Sequence, residues 1–335
     1  MALLPQCQIG SLDQAIVQDF PNTPSKLFPI VVRAPKPHSL LSMVDEIRPW
    51  LDLYLARFGA VLFRGFEPQT PETFEKFAEN LFGPLLDYDY GSTPRSQVVN
   101  RVYTSTEYPA HQAITLHHEM AYSDQWPLHL FFYCDLPATK GGATPIADSR
   151  QIYNALRPEL RQVFEDKGLC YLRNYRPGLD VPWQKIFQTD DPAKVSAFCK
   201  LHCIEAQWIT DKHLRTSQRL PATADHPKSG ERVWFNQAHL FHTSNLPSTV
   251  REAMAMIYQP EDFSRNVTFG DGSPIPDELL EEVRHVLSQK SVSFPWQKGD
   301  LLLLDNMLAC HGRTPFEGPR KIYVGMNTPW SHSSQ

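Results

Sequence analysis

The stretch that decides the fold is "ITLHHEMAYSDQWPLHLFFYC", residues 114–134, which joins two histidines and a glutamate to a long apolar run. In an extended strand, successive side chains point to opposite faces. An extended strand over 114–122 would therefore place His117 and Glu119 on one face and His118 on the other. The spacing predicts that an imidazole and a carboxylate are presented to a common point.

Short runs rich in β-branched and aromatic residues continue along the chain, separated by turn sequences such as "KGG", "KSGE" and "GDGSPIPD". These runs are "LHLFFYC" (128–134), "VWFNQAHLF" (233–241), "VSFPW" (292–296) and "LLLLDNMLACHG" (301–312). Such a succession is typical of an antiparallel barrel or jelly roll. We therefore expect a mainly β fold with flanking helices.

Helical patterns lie on either side of the first β-rich run. Residues 39–66 predict a helix that passes Gly59 into a strand. A second helix is predicted from Thr70 as N-cap, with Pro71 in its first turn, to Gly83 at its end. Its predicted apolar face consists of Phe74, Phe77 and Leu81. Residues 151–218 have the character of a mostly helical insertion.

Length and composition limit the class of protein. The chain has 335 residues, of which 41% are hydrophobic, and this content excludes a disordered chain. A formal net charge of -5 gives no basic surface for nucleic acid. Length is a weak guide to domain number, and we predict one domain over residues 1–335 that carries the insertion. Small-molecule chemistry is the expected activity.

Neither the N-terminal sequence nor the cysteines suggest secretion. The first 20 residues lack the basic and sustained apolar segments of a signal peptide, and no run is long enough to span a bilayer. We therefore expect a cytoplasmic protein with no membrane partner. The six cysteines show no CxxC spacing. The cluster "CKLHC" leaves open a zinc site formed by Cys199, His202 and Cys203.

A metal site needs a ligand from a distant segment in addition to His117 and Glu119. One carboxylate and two histidines form the facial triad that holds non-haem Fe(II) and leaves coordination positions open. His311 is the best candidate for the third ligand, because it ends the apolar run of 301–312 and precedes a Gly-containing turn. Arg320 begins the next predicted strand, where its guanidinium can pair with a carboxylate. The adjacent Lys321 remains an alternative.

Each of these signals is weak alone, since a histidine is more often a core or surface residue than a ligand. A helical zinc-protease motif is excluded, because "HEMAY" lacks the second histidine one turn later. The hypothesis depends on the order of four features: a His-x-Glu pair, a Gly-Gly-x-Thr turn, a distal "HGR" and a following arginine. That order in a β-rich context indicates an iron site.

The chain resembles the TauD/TfdA family of Fe(II)- and 2-oxoglutarate-dependent oxygenases through "NRVYTSTEYPA", "LHHEMAYSDQW", "GGATPIADSR", "WFNQAHLFH" and "HGRTPFEGPR". It looks most similar to the branch of clavaminate synthase-like enzymes and the syringomycin-pathway aspartyl hydroxylase. The resemblance implies a double-stranded β-helix, a jelly roll of the cupin-like barrel type. It also implies that His117, Glu119 and His311 bind iron, and that Thr144 and Arg320 bind 2-oxoglutarate.

The same resemblance implies a reaction with O2 that hydroxylates an unactivated C–H bond of an amino-acid-like substrate in specialised metabolism. The substrate is either free or tethered to a carrier protein. Desaturation or cyclisation by the same fold, and a cupin-like metal-binding sensor without turnover, remain alternatives, whereas Glu119 argues against a halogenase. Arg313 and Asn236 are candidate substrate-binding residues, with a structural hydrogen bond as the alternative role of each. The oligomeric state is left open.

Overall fold

The computed structural model describes residues 16–18, 28–34, 38–67, 69–87, 95–178 and 181–332. The sequence on which the absence of a signal peptide was predicted lies almost entirely outside these residues. Within them, no helix combines the length and apolar character needed to cross a membrane. The cytoplasmic location remains a prediction.

The strands of the described residues are short, apart from two long ones near the centre of the fold. In chain order they are β1 (Ile16–Gln18), β2 (Ile30–Arg33), β3 (Ala60–Arg64), β4 (Gln97–Val99), β5 (Val102–Thr104), β6 (Ile114–His117), β7 (Gln125–Leu136), β8 (Lys140–Gly141), β9 (Ile146–Asp148), β10 (Leu169–Tyr175), β11 (Glu205–Thr210), β12 (His213–Leu220), β13 (Thr223–Asp225), β14 (Arg232–Trp234), β15 (Arg265–Phe269), β16 (Leu301–Asp305), β17 (Ala309–Arg313), β18 (Phe316–Glu317) and β19 (Lys321–Ser331).

The α-helices lie before, between and after these strands. They are α1 (Val44–Phe58), α2 (Pro71–Phe82), α3 (Ser149–Ala155), α4 (Pro158–Lys167), α5 (Trp183–Ile186), α6 (Pro192–Leu201), α7 (Ala238–Phe241), α8 (Ser248–Ala255) and α9 (Asp277–Lys290).

An eight-stranded sheet forms the largest layer, in the order β1-β2-β3-β16-β7-β19-β5-β4. Its central strands are antiparallel, and Leu302 of β16 lies between Leu62 of β3 and Phe132 of β7. The strands β3 and β16 are buried along their whole length. Apart from Arg64 and Asp305 at their ends, their sequences are apolar throughout, as expected for strands covered on both faces.

Alternation along β3 explains how both faces of this sheet are covered. Val61 and Phe63 pack in the cluster that contains the apolar faces of α1 and α2. Ala60 and Leu62 point the other way, into a cluster that includes Ile146 of β9. The helices therefore cover the outer face, and the inner face packs against a second, smaller sheet.

The helix predicted after Thr70 is confirmed in detail. The Thr70 side chain accepts a hydrogen bond from the backbone N–H of Thr73, and the Thr73 hydroxyl oxygen accepts one from the N–H of Thr70. Pro71 occupies the first turn, and Gly83 follows the last helical residue. The predicted apolar face is buried: Phe74, Phe77 and Leu81. Local capping and periodicity were sufficient to define this element.

The smaller sheet has three strands in the order β6-β17-β9. Its strands come from three distant segments of the chain, and β17 is central. Gly312 of β17 permits this close pairing, since a Cβ atom there would lie 2.5 Å from the carbonyl oxygen of Ile114. The glycine of the "HGR" motif is therefore required by the packing of β6 on β17.

Two predicted strands are wrong or incomplete. The run 233–241 is a strand only to Trp234 and ends in α7, because the Asn236 side chain accepts a hydrogen bond from the N–H of Ala238 and starts a helical turn. The run 292–296 forms a single bridge, between Val292 and Ile146. Proline at position 295 has no N–H to extend that ladder.

Residues 151–218 are not mostly helical. They contain α4, α5 and α6 and most of α3, but also β10, β11 and most of β12. These strands belong to a four-stranded sheet in the order β11-β12-β10-β15. The alternating burial of β12 is typical of a strand with one covered face, and this period was not recognised in the sequence. The single-domain organisation remains a prediction.

Candidate metal centre and cosubstrate cavity

The pairing of β6 with β17 brings His117 directly opposite His311. The two imidazole rings lie with their centroids 4.5 Å apart. Nδ1 of His117 donates to the carbonyl oxygen of Thr115 at 2.8 Å, which leaves Nε2 of that ring as a lone-pair donor. Sheet register therefore creates the close histidine pair.

Glu119 reaches the same point from a turn and not from a strand. The strand predicted over 114–122 ends at His117, and Met120 has a positive φ of 59°. The Asn306 side chain accepts a hydrogen bond from the N–H of Glu119 at 2.8 Å and donates to its carbonyl oxygen at 2.9 Å. These two bonds fix the main chain of Glu119 where the ladder has ended.

The ligand atoms of His117, Glu119 and His311 all lie within 4.8 Å of one another. Oε2 of Glu119 is 3.8 Å from Nε2 of His311. Burial lowers the pKa of both His117 and His311, so the two imidazoles are held in the neutral form that binds metals. Two neutral nitrogens and one carboxylate oxygen suit a divalent cation such as Fe(II).

His118 points away from this centre. Its Nε2 shares a hydrogen bond with the hydroxyl of Ser149 at 2.7 Å, and its ring packs 4.9 Å from that of Phe235. Burial lowers the pKa of His118 to about 3. His117 and His118 therefore point in different directions, as predicted, although the strand on which the prediction rested is shorter than expected.

A small cavity of about 30 Å³ adjoins the histidine pair. Its lining comes from both sheets and from the segments next to them: Arg95, Ser105, Thr106, Ile114, His117, Phe132, Thr144, His311, Gly312, Arg313, Arg320 and Val324. Thr144 and Arg320, which sequence reasoning assigned to one cosubstrate, thus share a cavity with two of the three candidate metal ligands.

Arg320 enters the cavity from the segment before β19. Its Nε donates to the carbonyl oxygen of Gly142 at 2.9 Å, and one terminal nitrogen donates to the Ser105 hydroxyl at 3.1 Å. Burial, with a further contribution from Arg313, lowers the pKa of Arg320 to about 10. Lys321 is exposed to solvent. The geometry places Arg320, and not Lys321, in the lining of this cavity, together with Arg95 and Arg313.

Thr144 is buried and also lines the cavity. The indole N–H of Trp296 donates to its hydroxyl oxygen at 3.1 Å. Because a hydroxyl has one donor and two acceptor positions, this bond leaves the proton of Thr144 for another acceptor. A ligand carboxylate in the cavity fits that geometry.

The two substrate candidates are in different surroundings. Arg313 lines the cavity, and its terminal nitrogens donate to the backbone carbonyl oxygens of Tyr108, Pro109 and Gln112. Asn236 does not line the cavity, and its amide bonds the backbone of Ala222 and Ala238. The contacts of Asn236 are thus those of a structural hydrogen bond, the alternative role considered from the sequence. Arg313 combines structural hydrogen bonds with a position in the cavity.

Sequence reasoning missed several residues around this centre. Arg95 donates to Oε2 of Glu119 at 2.6 Å, and no motif marked it. Asn306 was visible only as a polar residue within an apolar run, and Trp296 only as an aromatic one. Ser105 lies in "NRVYTSTEYPA", one of the motifs that carried the family resemblance.

The alternative zinc site is not assembled. Burial raises the pKa of the Cys199 thiol to about 11, and Nδ1 of His202 bonds the carboxylate of Asp124. In the described part of the chain, the group formed by His117, Glu119 and His311 is the only set of three or more such side chains with metal-ligand spacing.

The fold and this site agree with the class of protein found by comparison with known families. The model of the TauD/TfdA family, described as taurine catabolism dioxygenase, matches residues 28–326. The chain belongs to this family. It is therefore a dioxygenase, with Fe(II), 2-oxoglutarate and O2 as its cofactor and cosubstrates, as the sequence predicted.

Two relatives and one solved structure are similar over most of their lengths. The dapdiamide synthesis protein DdaC of Enterobacter agglomerans is 40% identical over 279 residues, covering 83% of this chain and 85% of the relative. A clavaminate synthase-like protein of Arabidopsis thaliana is 32% identical over 321 residues, covering 90% and 94%. The crystal structure of PvcB from Pseudomonas aeruginosa is 16% identical, with a TM-score of 0.53, covering 89% of this chain and 85% of that one.

Proposed function

We propose that this dioxygenase hydroxylates an unactivated C–H bond of an amino-acid-like substrate in specialised metabolism. In this proposal His117, Glu119 and His311 hold the iron, and Thr144 and Arg320 hold the far carboxylate of 2-oxoglutarate. The observation that carries it is the presence of the two histidines, the threonine and the arginine in one cavity. When bound, the iron and its cosubstrates supply the oxidising power to remove hydrogen from carbon.

The ligand set suits an iron ion, since its three ligand atoms lie within 4.8 Å of one another. Thr115 orients His117, and Asn306 fixes the backbone of Glu119. Three protein ligands leave coordination positions open for the cosubstrates. A carboxylate at position 119 also occupies the place that a halide would need, so the geometry supports oxygenation over halogenation.

The cosubstrate assignment is supported by charge. Arg320 is partly buried, and its hydrogen bonds go to a carbonyl and a hydroxyl oxygen, both neutral acceptors. A carboxylate in the cavity would neutralise this guanidinium, whose planar donors match two carboxylate oxygens. The hydroxyl proton of Thr144 would add one hydrogen bond to the same anion.

We further propose that the large sheet and the three-stranded sheet are the two walls of a double-stranded β-helix. The support is the mixed lining of the cavity, with Phe132 and Val324 from the large sheet and Ile114 and His311 from the small one. We also propose that these walls close into a full barrel, as the sequence resemblance implies.

The substrate class is supported by the relatives and by one cavity residue. DdaC is a dapdiamide synthesis protein, which suggests a biosynthetic substrate for this chain as well. Arg313 lies beside Arg320 at the cavity and favours a substrate with a carboxylate. A carrier-tethered substrate would lack that free group, and the Arg313→Met variant separates the two cases. If the variant turns over the free amino acid more weakly but the carrier-loaded form normally, carboxylate recognition is supported. An equal loss of turnover with both forms contradicts it.

The central experiment is anaerobic addition of Fe(II) and 2-oxoglutarate to the purified protein. We expect a visible charge-transfer absorption band, which amino acids that are substrates should perturb before oxygen is admitted. Products formed after oxygenation would then be identified by mass spectrometry, where a gain of one oxygen atom marks hydroxylation. Loss of two hydrogens instead would assign desaturation or cyclisation.

His117→Ala and His118→Ala provide the matched pair for the metal assignment. The first should abolish the band and iron binding, because it removes a ligand. The second removes a side chain bonded to Ser149 on the far side and should retain iron binding in the folded protein. Equal loss of iron in both variants would contradict the assignment.

A further inference from the structure

Arg95 lies inside the cavity and contacts the candidate metal centre. A terminal nitrogen of its guanidinium donates to Oε2 of Glu119 at 2.6 Å, and the two side chains are only 2% and 7% exposed. The same Oε2 atom is 3.8 Å from Nε2 of His311. Arg95 therefore holds the carboxylate oxygen that faces the histidine pair.

We propose that Arg95 competes with the metal ion for Oε2 of Glu119, so that metal loading displaces its guanidinium. The inference rests on the proposed metal role of His117, Glu119 and His311. A carboxylate oxygen that already pairs with the buried guanidinium of Arg95 is stabilised less by a metal ion. The guanidinium and the metal ion also repel each other at short range. The ion pair therefore lowers the affinity of the metal-free protein for metal.

The opposite role, in which Arg95 helps the metal by orienting Glu119, has less support. Asn306 already anchors the main chain of Glu119 through its N–H and its carbonyl group. The carboxylate consequently starts from a fixed backbone whether or not Arg95 is present. The two roles predict opposite signs for the change in metal affinity when Arg95 is replaced.

The test uses the full chain, stripped of metal, and Co(II) alone as the probe. Binding is followed by the visible absorption of the bound ion, without 2-oxoglutarate, substrate or turnover. Arg95→Met should bind Co(II) about ten- to a hundredfold more tightly than the wild type, the fold-change of one hydrogen bond to a charged group. Arg95→Gln, which keeps a polar side chain, should change affinity in the same direction.

Arg101→Met is the matched control. Arg101 is close in sequence, but its guanidinium is partly exposed and pairs with Asp87 at the surface. This variant should bind Co(II) with the affinity of the wild type. Circular dichroism and thermal unfolding of each variant verify that the comparison is made on folded protein.

Unchanged or weaker Co(II) binding by folded Arg95→Met and Arg95→Gln overturns the competition. The Glu119→Ala variant distinguishes a wrong role for Arg95 from a wrong assignment of the metal centre. If Glu119→Ala binds Co(II) as tightly as the wild type, then Glu119 is not a metal ligand and the proposed centre is wrong. If it loses affinity while the Arg95 variants show no gain, only the role of Arg95 is rejected.

Discussion

Two arginines of this chain, Arg64 fully buried and Arg320 partly buried, lie in opposite electrostatic surroundings. Arg64, at the end of β3, donates to Asp300 through two hydrogen bonds of 2.8 and 2.6 Å. Arg320, before β19, bonds the carbonyl oxygen of Gly142 and the hydroxyl of Ser105. Among the residues that the structure describes, no carboxylate lies within salt-bridge distance of Arg320.

The difference separates a cation that is paired within the fold from one that we propose binds a ligand. Arg64 and Asp300 neutralise each other beneath the large sheet, with 5% and 1% of their side chains exposed. The charge of Arg320 is instead disfavoured by burial, which lowers its pKa to about 10. A bound anion would relieve that cost. Substitution at the two sites should therefore affect different properties of the protein.

The largest expected effect is on stability, at the internally paired site. Asp300→Ala leaves the Arg64 guanidinium buried without its carboxylate, and we expect a loss of about 3–5 kcal/mol in the free energy of unfolding. Chemical denaturation measures it. The control is Asp52→Ala, because Asp52 pairs with Lys228 at the surface and should contribute less than about 1 kcal/mol. Similar losses in both variants would remove the basis of the comparison.

Next is the ligand-directed arginine. Arg320→Leu should weaken 2-oxoglutarate binding by about 3 kcal/mol, because the buried carboxylate loses its partner. The unfolding free energy of the ligand-free protein should stay level or rise, since an uncompensated charge is removed. Anaerobic titration and denaturation measure the two quantities. Lys321→Leu alters an exposed neighbour and should change neither; a larger loss of affinity there would transfer the cosubstrate role to Lys321.

A smaller change is expected from Thr144, which also lines the cavity. Thr144→Val removes one hydroxyl while nearly keeping the side-chain volume, and should weaken 2-oxoglutarate by about 1–2 kcal/mol, the value of one hydrogen bond to a charged group. The measurement is the same anaerobic titration. An unaltered dissociation constant would mean that this hydroxyl does not contact the cosubstrate.

The smallest effect tests the support of Arg320. Gly142 has a φ of +69°, and a Cβ there would lie 3.1 Å from Cδ of Arg320. Gly142→Ala should cost about 1 kcal/mol of stability and also weaken 2-oxoglutarate binding. Gly272→Ala is the control, with a φ of +85° but no atom within 4 Å of the added carbon. It should lose comparable stability and keep its affinity; a matching loss of affinity would show that the arginine is not involved.

Local sequence was sufficient to predict an element wherever the signals for its ends and its buried face lie within one segment. Thr70, Pro71 and Gly83 define the ends of α2, and the period of its apolar residues defines its buried face. Such a helix is specified by neighbours three and four positions apart. Residues 151–218 were harder, because β10 pairs with β12 and with β15, which both lie far from it along the chain.

The candidate metal centre was predicted from residue type and order. His117, Glu119 and His311 are the three residues that the structure brings together. His118 points away from the centre as predicted, but the strand on which that prediction rested ends at His117, and a turn places Glu119. The turn that follows depends on Asn306, which lies in a distant segment.

The sequence by itself determined the class of enzyme, the three candidate metal ligands that the structure brings together, and the helices with complete local signals. Tertiary structure decided that Arg320 and not Lys321 faces the cavity, that Arg313 bonds backbone carbonyls, and that Arg95 reaches Glu119. These outcomes depend on burial and on contacts between segments far apart in the chain. Charge and hydrogen bonding act over a few ångströms in space. The sequence shows which residues are that close only when they are also near each other along the chain.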